Sequence, residues 1–361
     1  MAWLITAAAA ILVLATLVPF LAVPHGIVRV CDFPRVQIAV LAAILAVLAV
    51  LLVEPASWAW GLVAALAAVV AVQAAFIIRF TPLWRVQSLN WSGAPDGAAM
   101  LRILACNVKQ SNRQYGRLID LIRREEPDLV VLAETDHKWL AALADIKEAF
   151  PHRVEPAQDN SYGMLLFSRL PLHNPRVRYL LLDEVPSIQA HVELQDGRRF
   201  NLIAVHPEPP VPYAETTGRD AELILAAKIV EEEQLPSVIT GDLNDVAWSR
   251  TNRRFQRLSQ LLDPRVGRGF YSTFHASYPF LRWPLDHLFH DPAFRLVEMR
   301  VLQHVGSDHF PIFFALALAD SEKAGGMPDD ADREDRAEAQ RVVRQGKDLE
   351  RDPIGTDWED N

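Results

Sequence analysis

The sequence predicts an α+β domain with layered sheets and helices, preceded by three transmembrane helices. Three apolar stretches open the chain, and each is close to the roughly 20 residues that cross a bilayer as a helix. Behind them, strand-type and helix-type hydrophobic patterns alternate, and Asp196-Gly197 between two strand-like runs is typical of a β-hairpin. Hairpins mixed with helical crossovers favour an α+β domain over a purely parallel sheet.

The three apolar stretches cover residues 3–23, 36–53 and 58–78. None shows a polar face, which argues against buried helices of a soluble protein. The first stretch lacks the basic n-region of a signal peptide, and tryptophans stand at segment ends as in membrane aromatic belts. Residues 1–81 are therefore predicted to be a three-span region in the cell membrane, with the lipid bilayer as a partner.

The arginines near these spans predict an orientation. Arg29, Arg35, Arg79 and Arg85 all lie on one side of the three spans, whereas the N-terminus and the loop 54–57 have no basic side chain. The positive-inside rule then places the large domain in the cytoplasm and the N-terminus outside. The orientation reverses if the first segment does not insert.

The rest of the chain divides by composition into a linker at 82–99, a globular domain at 100–319 and a tail at 320–361. The tail has 14 acidic and 7 basic residues and few apolar ones, so it is predicted to be disordered and passive. It carries most of the net charge of −9, and the near-neutral middle gives no support for strong non-specific binding of duplex DNA.

The two cysteines, Cys31 and Cys106, lie far apart, which argues against a disulfide or a cysteine metal site.

Strand and helix patterns alternate along the globular domain, and no internal repeat is visible. Helical periodicity covers residues 114–126, 217–233 and 253–262. The predicted strands are 101–108, 128–133, 163–167, 188–194, 199–205, 238–240, 285–289, 294–302 and 310–318.

Polar side chains stand at the ends of several of these strands. Buried carboxylates at such positions are costly unless they bind a metal or pair with a base. In chain order the residues are Asn107, Glu134, His206, Asp242, Asn244, Asp286, Asp308 and His309. Their spread over one domain predicts a metal-assisted hydrolase whose ligands converge from the ends of different strands.

The order and the flanking sequences of these residues resemble the endonuclease/exonuclease/phosphatase superfamily. Ala-Cys-Asn-Val, Leu-Ala-Glu-Thr, Gly-Asp-Leu-Asn, Pro-Leu-Asp-His and Ser-Asp-His-Phe are weak motifs singly, but together they span the globular domain in the order of that family. The resemblance implies a four-layer α/β/β/α sandwich and a hydrolase that depends on Mg²⁺ or Mn²⁺. It implies cleavage of a phosphoester by direct attack of water, without a covalent intermediate.

The resemblance also implies a metal site formed by Asn107, Glu134 and Asp308. Mg²⁺ prefers oxygen ligands and keeps several waters, so one or two carboxylates and an amide suffice. The structural alternatives are a helix cap or surface acid for Glu134 and a turn residue for Asn107.

By the same resemblance, the catalytic residues are His206, Asp242, Asn244, Asp286 and His309. Asp242 and Asn244 are expected to orient the attacking water, and Asp286 to hold His309 against the phosphate. His206 is a candidate general acid, with a hydrogen-bonded core histidine as the alternative. A glutamate partner for His206 cannot be placed, and Asp159 and Tyr162 are the nearest guesses.

The sequence leaves the phosphoester substrate open. Nuclease or phosphodiesterase activity is put first, although loops rich in basic and aromatic residues that would hold DNA are not visible. Membrane tethering favours a phospholipid headgroup, as for a sphingomyelinase-like or phosphoinositide-phosphatase-like hydrolase. A catalytically silent membrane scaffold is the rival of another class, and the intact set of polar residues argues against it. Uncharged spans argue against a transporter, and no protein partner can be inferred.

Overall fold

Two β-sheets packed face to face, with helices on their outer sides, form the large domain of this computed structural model. The structure describes residues 2–21, 23–54, 57–93, 99–319 and 325–356. The first sheet has the strand order β10-β11-β1-β2-β4-β3, and the second has the order β5-β6-β7-β8-β9. This α/β/β/α arrangement confirms the predicted α+β fold.

The strands of the first sheet are β1 (Met100–Asn107), β2 (Leu129–Ala133), β3 (His152–Val154), β4 (Met164–Ser168), β10 (Phe294–Val301) and β11 (Ile312–Leu318). The strands of the second sheet are β5 (Leu172–Tyr179), β6 (Pro186–Glu193), β7 (Arg199–Ala204), β8 (Ser237–Asp242) and β9 (Asp286–His290). Each sheet contains one parallel pair, β1–β2 and β7–β8, and its other pairs are antiparallel.

Strand alternation explains the layers. Ile103, Ile188 and Leu202 point into the cluster between the sheets. Neighbouring residues point outward, where Leu104 packs under the helix α5 (Tyr115–Glu125) and Ile203 packs under α7 (Thr217–Glu232). The short helix α6 (His137–Ala142) lies on the first sheet, and α8 (Arg250–Ser259) lies on the second.

Three N-terminal helices are long and apolar enough to cross a membrane: Ala2–Phe20, Arg35–Leu52 and Trp58–Phe80. They contain the α-helices α1 (Ala2–Leu17), α3 (Arg35–Leu52) and α4 (Ser57–Ile77). A chain of hydrogen bonds joins them: Arg35 donates to Gln73 (2.9 Å), and Gln73 donates to Thr16 (2.9 Å). The spans are therefore fixed to one another by polar contacts as well as by apolar packing.

The loop between the first two spans contains the short helix α2 (Gly26–Val30) and packs directly on the large domain. Arg29 forms a 2.8 Å ion pair with Asp220, and the indole nitrogen of Trp248 donates to the carbonyl oxygen of Asp32 at 2.7 Å. Phe33 belongs to an apolar cluster with Trp248 and Leu285. These contacts place one end of the domain against the loop that contains Phe33.

The prediction of a disordered tail is wrong for its central part. Residues 333–347 form the helix α9 (Arg333–Lys347), which buries Ala339, Val342 and Val343 against α7. Composition alone missed this apolar stripe, because the charged residues that dominate the tail lie mostly on the other faces of the helix. Residues 320–324 and 357–361 lie outside the described residues.

Candidate active site

The polar residues of the predicted site lie together at one edge of the two sheets. Asn107 ends β1 beside Ala133 at the end of β2, so Glu134, the next residue, lies near Asn107. In the second sheet, the antiparallel register pairs Asp242 directly with Asp286. The packing of the sheets then brings Asn107 within 3.0 Å of Asp242.

The amide of Asn107 joins two of the carboxylates. Its nitrogen donates to Glu134 at 2.7 Å and to Asp242 at 3.0 Å, and its oxygen accepts from the backbone of Lys109 at 3.0 Å. Glu134 has a positive φ of 57°, which is uncommon for this residue type. The backbone at the end of β2 is thus bent so that the Glu134 carboxylate faces the second sheet.

His309 forms a polar pair with Asp286. The Nδ1–Oδ2 distance is 2.8 Å, and Nε2 lies 3.5 Å from Asp242 Oδ2. Burial alone would lower the pKa of the imidazole, but the carboxylates of Asp286 and Asp242 outweigh it and raise this pKa to about 10. His309 therefore carries a positive charge at neutral pH, directed at the space above Asp242.

The carboxylates Glu134 and Asp242 are strongly desolvated. Burial raises the pKa of Glu134 to about 7, against the lowering effect of the Asn107 hydrogen bond. Burial also raises the pKa of Asp242, and the charge of His309 opposes this rise. Two such acids at one edge, with an amide between them, are a site that a divalent cation would stabilise.

Asp308 lies on the cavity side of the same group. Its carboxylate is 3.3 Å from the ammonium of Lys109. Burial would raise its pKa, but the charges of His309 and Lys109 outweigh burial and lower it. The hydroxyl of Ser307 donates to the carbonyl of Asn107 at 2.7 Å and accepts from the backbone of His309 at 3.0 Å, which holds the loop in place.

Asn244 is held by the backbone around it. Its φ is 51°, its amide nitrogen donates to the carbonyl of Pro207 at 2.9 Å, and its backbone nitrogen donates to Asp242 at 2.9 Å. These bonds connect the loop after β8 to the loop that carries His206.

His206 is buried, and neither of its ring nitrogens has a hydrogen-bond partner among the described residues. Its Nε2 lies 4.0 Å from Glu134, and its ring lies 5.6 Å from that of Tyr162. Burial lowers its pKa to about 4, and the positive charge of His309 adds to this effect. Of the two guessed partners, Tyr162 is therefore adjacent, whereas Asp159 is exposed and pairs with His137.

Of the predicted site residues, Glu134, His206, Asn244, Asp308 and His309 line a cavity of about 460 Å³. Its wall includes residues from three separated parts of the chain: the strand ends, Phe33 of the loop before the second span, and Ile354 and Gly355 of the tail. Sequence reasoning missed these three residues and Lys109. Lys109 follows Asn107 by two positions, so its place at the site could have been predicted from the sequence. No local sequence pattern predicts that Phe33 or Ile354 lies at the site.

A second group brings ligand atoms close together: Asp242, Asp286 and His309 have such atoms within 4.8 Å of one another. The carboxylate of Asp286 already holds Nδ1 of His309 at 2.8 Å, and Nε2 lies 3.5 Å from Asp242. The trio therefore fits an acid–base group better, while Glu134 and Asp308 supply carboxylate oxygen atoms of the kind that suit Mg²⁺.

The family model for the Endonuclease/Exonuclease/phosphatase family matches residues 92–309. Three similar solved structures show the same fold. The human Nocturnin catalytic domain with bound sulfate anion is 16% identical, with a TM-score of 0.51 over 61% of this chain and 94% of that one. An endonuclease/exonuclease/phosphatase from Bacteroides vulgatus is 18% identical, with a TM-score of 0.51 over 61% and 99%.

The third is D. rerio TDP2 complexed with a single strand DNA product, which is 16% identical with a TM-score of 0.51 over 60% and 99% of the two chains. No curated protein matches the sequence significantly. At these identities the solved structures support the fold alone, and the match to the family model covers more than half of the chain. The protein belongs to the endonuclease/exonuclease/phosphatase family, whose members are hydrolases of phosphoester bonds.

Proposed function

We propose that this protein is a membrane-anchored phosphoesterase that depends on a divalent metal ion and cleaves its substrate by direct attack of water. The observation that carries the proposal is the convergence of Glu134, Asp308 and the imidazolium of His309 on one cavity, with Asp242 3.5 Å behind His309 Nε2. Hydrolysis of a phosphoester needs neutralisation of charge on the phosphoryl oxygens and an oriented water, and this set provides both.

The metal would be held by Glu134, with Asp308 and the Asn107 region beside it. When bound, such an ion polarises the phosphoryl oxygens and neutralises their charge. The raised pKa of Glu134 supports this assignment, because a partly buried carboxylate with no cation beside it is destabilised in its charged form. The chemistry of the oxygen donors fits Mg²⁺ or Mn²⁺.

The chain's own residues would do the remaining work. Asp242, fixed by Asn107 and by the backbone of Asn244, would accept a proton from the attacking water. His309, kept charged by Asp286, would donate a hydrogen bond to a phosphoryl oxygen. His206 lines the cavity, and its two ring nitrogens have no hydrogen-bond partner within the described part of the chain, so it could contact the substrate near the leaving oxygen.

The position of the cavity favours a phosphoester in the headgroup layer of a bilayer. Phe33, two residues before the second span, lines the cavity. The loop after Phe274 exposes Tyr278, Phe280 and Leu281, and the carbonyl of Phe280 accepts from Gln37 in the first turn of that span. An apolar loop beside the cavity at this height would lie in the membrane interface. Nucleic acid, the first expectation from sequence, is the second candidate.

The basic residues support the proposal of a cytoplasmic domain. Arg79 and Arg85 flank the end of the third span and support a cytoplasmic domain in the cell membrane. Arg29 is a weaker argument than its sequence position implies, because it is buried in an ion pair with Asp220.

The test uses the full chain in lipid nanodiscs, with and without Mg²⁺. Substrates are bis-p-nitrophenyl phosphate, a phosphoinositide, sphingomyelin and single-stranded DNA. We expect metal-dependent turnover that falls about 10²- to 10⁴-fold in Asp242→Asn, because that carboxylate acts on the water. Asp120→Asn, an exposed aspartate on α5, is the matched control and should behave like the wild type. Turnover that is independent of metal, or unchanged in Asp242→Asn, would disprove the proposal.

A further inference from the structure

The end of the chain returns to the active site after α9. This helix is anchored to α7 and α8: Arg257 makes two 2.6 Å hydrogen bonds to Asp335, and Arg254 lies 2.8 Å from Glu338. A Cβ at Gly346 would lie 2.6 Å from that of Ala221, so the last turn of α9 packs closely on α7. The residues that follow α9 are therefore held at a defined place on the domain.

Residues 351–356, which we name the C-terminal strap, are fixed by one buried carboxylate. Arg351 binds both oxygens of Glu208, at 2.6 and 2.9 Å, and the backbone nitrogen of Ile354 donates to the same carboxylate at 2.8 Å. The side chain of Glu208 is 1% exposed, so this charge depends on the strap for its partners. The hydroxyl of Tyr162 donates to the carbonyl of Ile354.

These contacts join the strap to the catalytic residues. Glu208 lies two residues after His206, and the intervening carbonyl of Pro207 accepts from the amide of Asn244. Ile354 and Gly355 themselves line the cavity. The strap is therefore a wall of the active-site cavity, although it lies outside the residues that match the family model.

We propose that the C-terminal strap is a specificity element that restricts the cavity to compact phosphoesters, such as a single headgroup, and excludes a nucleic-acid strand. This inference rests on the proposed phosphoesterase function. The cavity volume of about 460 Å³ is in the range of small-molecule sites. A single strand needs an open groove that accommodates several nucleotides along the backbone. The strap closes one side of the space that such a groove would occupy.

The first test compares kcat/KM for a 12-nucleotide single-stranded DNA and for bis-p-nitrophenyl phosphate. The proteins are the full chain, a chain that ends at Leu349, and Arg351→Ala. We expect the ratio of the DNA value to the small-ester value to rise at least tenfold in both variants. Arg341→Ala, on the exposed face of α9, is the control and should leave the ratio unchanged. An unchanged ratio in the truncated chain would overturn the proposal.

The second test does not depend on turnover. Ser161 lines the cavity beside the strap, so Ser161→Cys can be alkylated by small iodoacetamide and by a maleimide that carries a large polyethylene glycol. Removal of the strap should raise the rate of alkylation by the bulky reagent at least tenfold and the rate by the small reagent less than threefold. The protein without Ser161→Cys gives the background labelling of Cys31 and Cys106. Equal acceleration of both reagents, or none, would overturn the proposal. Failure of metal-dependent turnover would instead refute the phosphoesterase function and leave the labelling to decide on the strap.

Discussion

The charge of His309 depends on the carboxylate behind it. Asp286 lies 2.8 Å from Nδ1 and is the largest of the influences that raise the pKa of the imidazole to about 10. The imidazolium is present below that pH and is lost as the pH rises through it. If the charged form contacts the phosphate, the rate must fall on the alkaline side of the profile, at a pH that Asp286 sets.

We expect Asp286→Asn to shift the alkaline limb of the pH–rate profile to lower pH by at least one unit. The amide keeps the shape of the side chain but removes the negative charge, so burial lowers the pKa of His309 again. The measurement is kcat/KM for a small phosphodiester between pH 6 and 10 at saturating Mg²⁺. An alkaline limb at the same pH in wild type and Asp286→Asn would assign that limb to another group.

The clustering of these candidate residues could be predicted from the sequence, because each one stands next to a buried strand and its motif is local. Glu134, Asp308 and His309 do line one cavity, and Asn107 and Asp242 lie against Glu134 and His309. What the sequence could not give is the detail of their contacts. The amide nitrogen of Asn107, and not its oxygen, faces the two carboxylates, and this orientation depends on the packing of the two sheets.

Strand β8 reaches the site through a glycine whose backbone conformation and missing side chain the strand requires. Gly241 has a φ of 143°, and a Cβ there would lie 2.0 Å from the carbonyl oxygen of Val205. That conformation is nearly confined to glycine, and the close approach keeps β8 beside the chain that leaves β7. The next residue is Asp242, so the position of this carboxylate depends on the glycine before it.

We expect Gly241→Ala to lower the stability by roughly 2–4 kcal/mol and turnover by about 100-fold, because Asp242 is displaced by the clash. Gly197→Ala is the matched control, since Gly197 also has a positive φ of 86° but has open space at the Cβ position. Thermal unfolding and kcat of the two variants separate the clash from the backbone strain. Equal effects in both variants would show that the contact with Val205 is unimportant.

The elements that were not predicted from sequence patterns share one property: their burial depends on contacts with distant parts of the chain. Strand β5 is an edge strand with mostly exposed residues and a proline, so it lacks the alternation of a half-buried strand. Helix α9 has a narrow apolar stripe that becomes meaningful only when α7 lies beneath it. By contrast, β1, β2 and α5 carry strong local patterns and were predicted to within one or two residues.

The domain is not self-contained at either end of the sequence. The loop that contains Phe33 covers Trp248 and Leu285, and α9 covers Ala221 and Ile224. A fragment limited to the family domain would expose both apolar patches to water. The boundaries at residues 99 and 319, drawn from composition, therefore cut through two packed surfaces.

We expect a fragment of residues 99–319 to unfold about 10 °C below a fragment of residues 99–356. The α9 side chains Ala339, Val342 and Val343 are buried against α7, which stabilises the domain by on the order of 4 kcal/mol. Each kcal/mol of stability raises the unfolding temperature by about 2–4 °C for a domain of this size. Calorimetry measures the unfolding temperatures of the two fragments, and binding of a hydrophobic dye compares their exposed apolar surface. Equal unfolding temperatures would mean that α9 adds no stability to the domain.

The hydrogen-bond chain from Thr16 through Gln73 to Arg35 continues into Asp32, whose carbonyl accepts from Trp248 of the large domain. Such a continuous connection fixes the height of the cavity above the spans. If, as proposed, the spans cross a bilayer and the substrate is one of its lipids, an enzyme held in this way meets that substrate by lateral diffusion in two dimensions. Its rate then follows the mole fraction of that lipid in the surface, and dilution of the vesicles in buffer leaves the rate per enzyme unchanged.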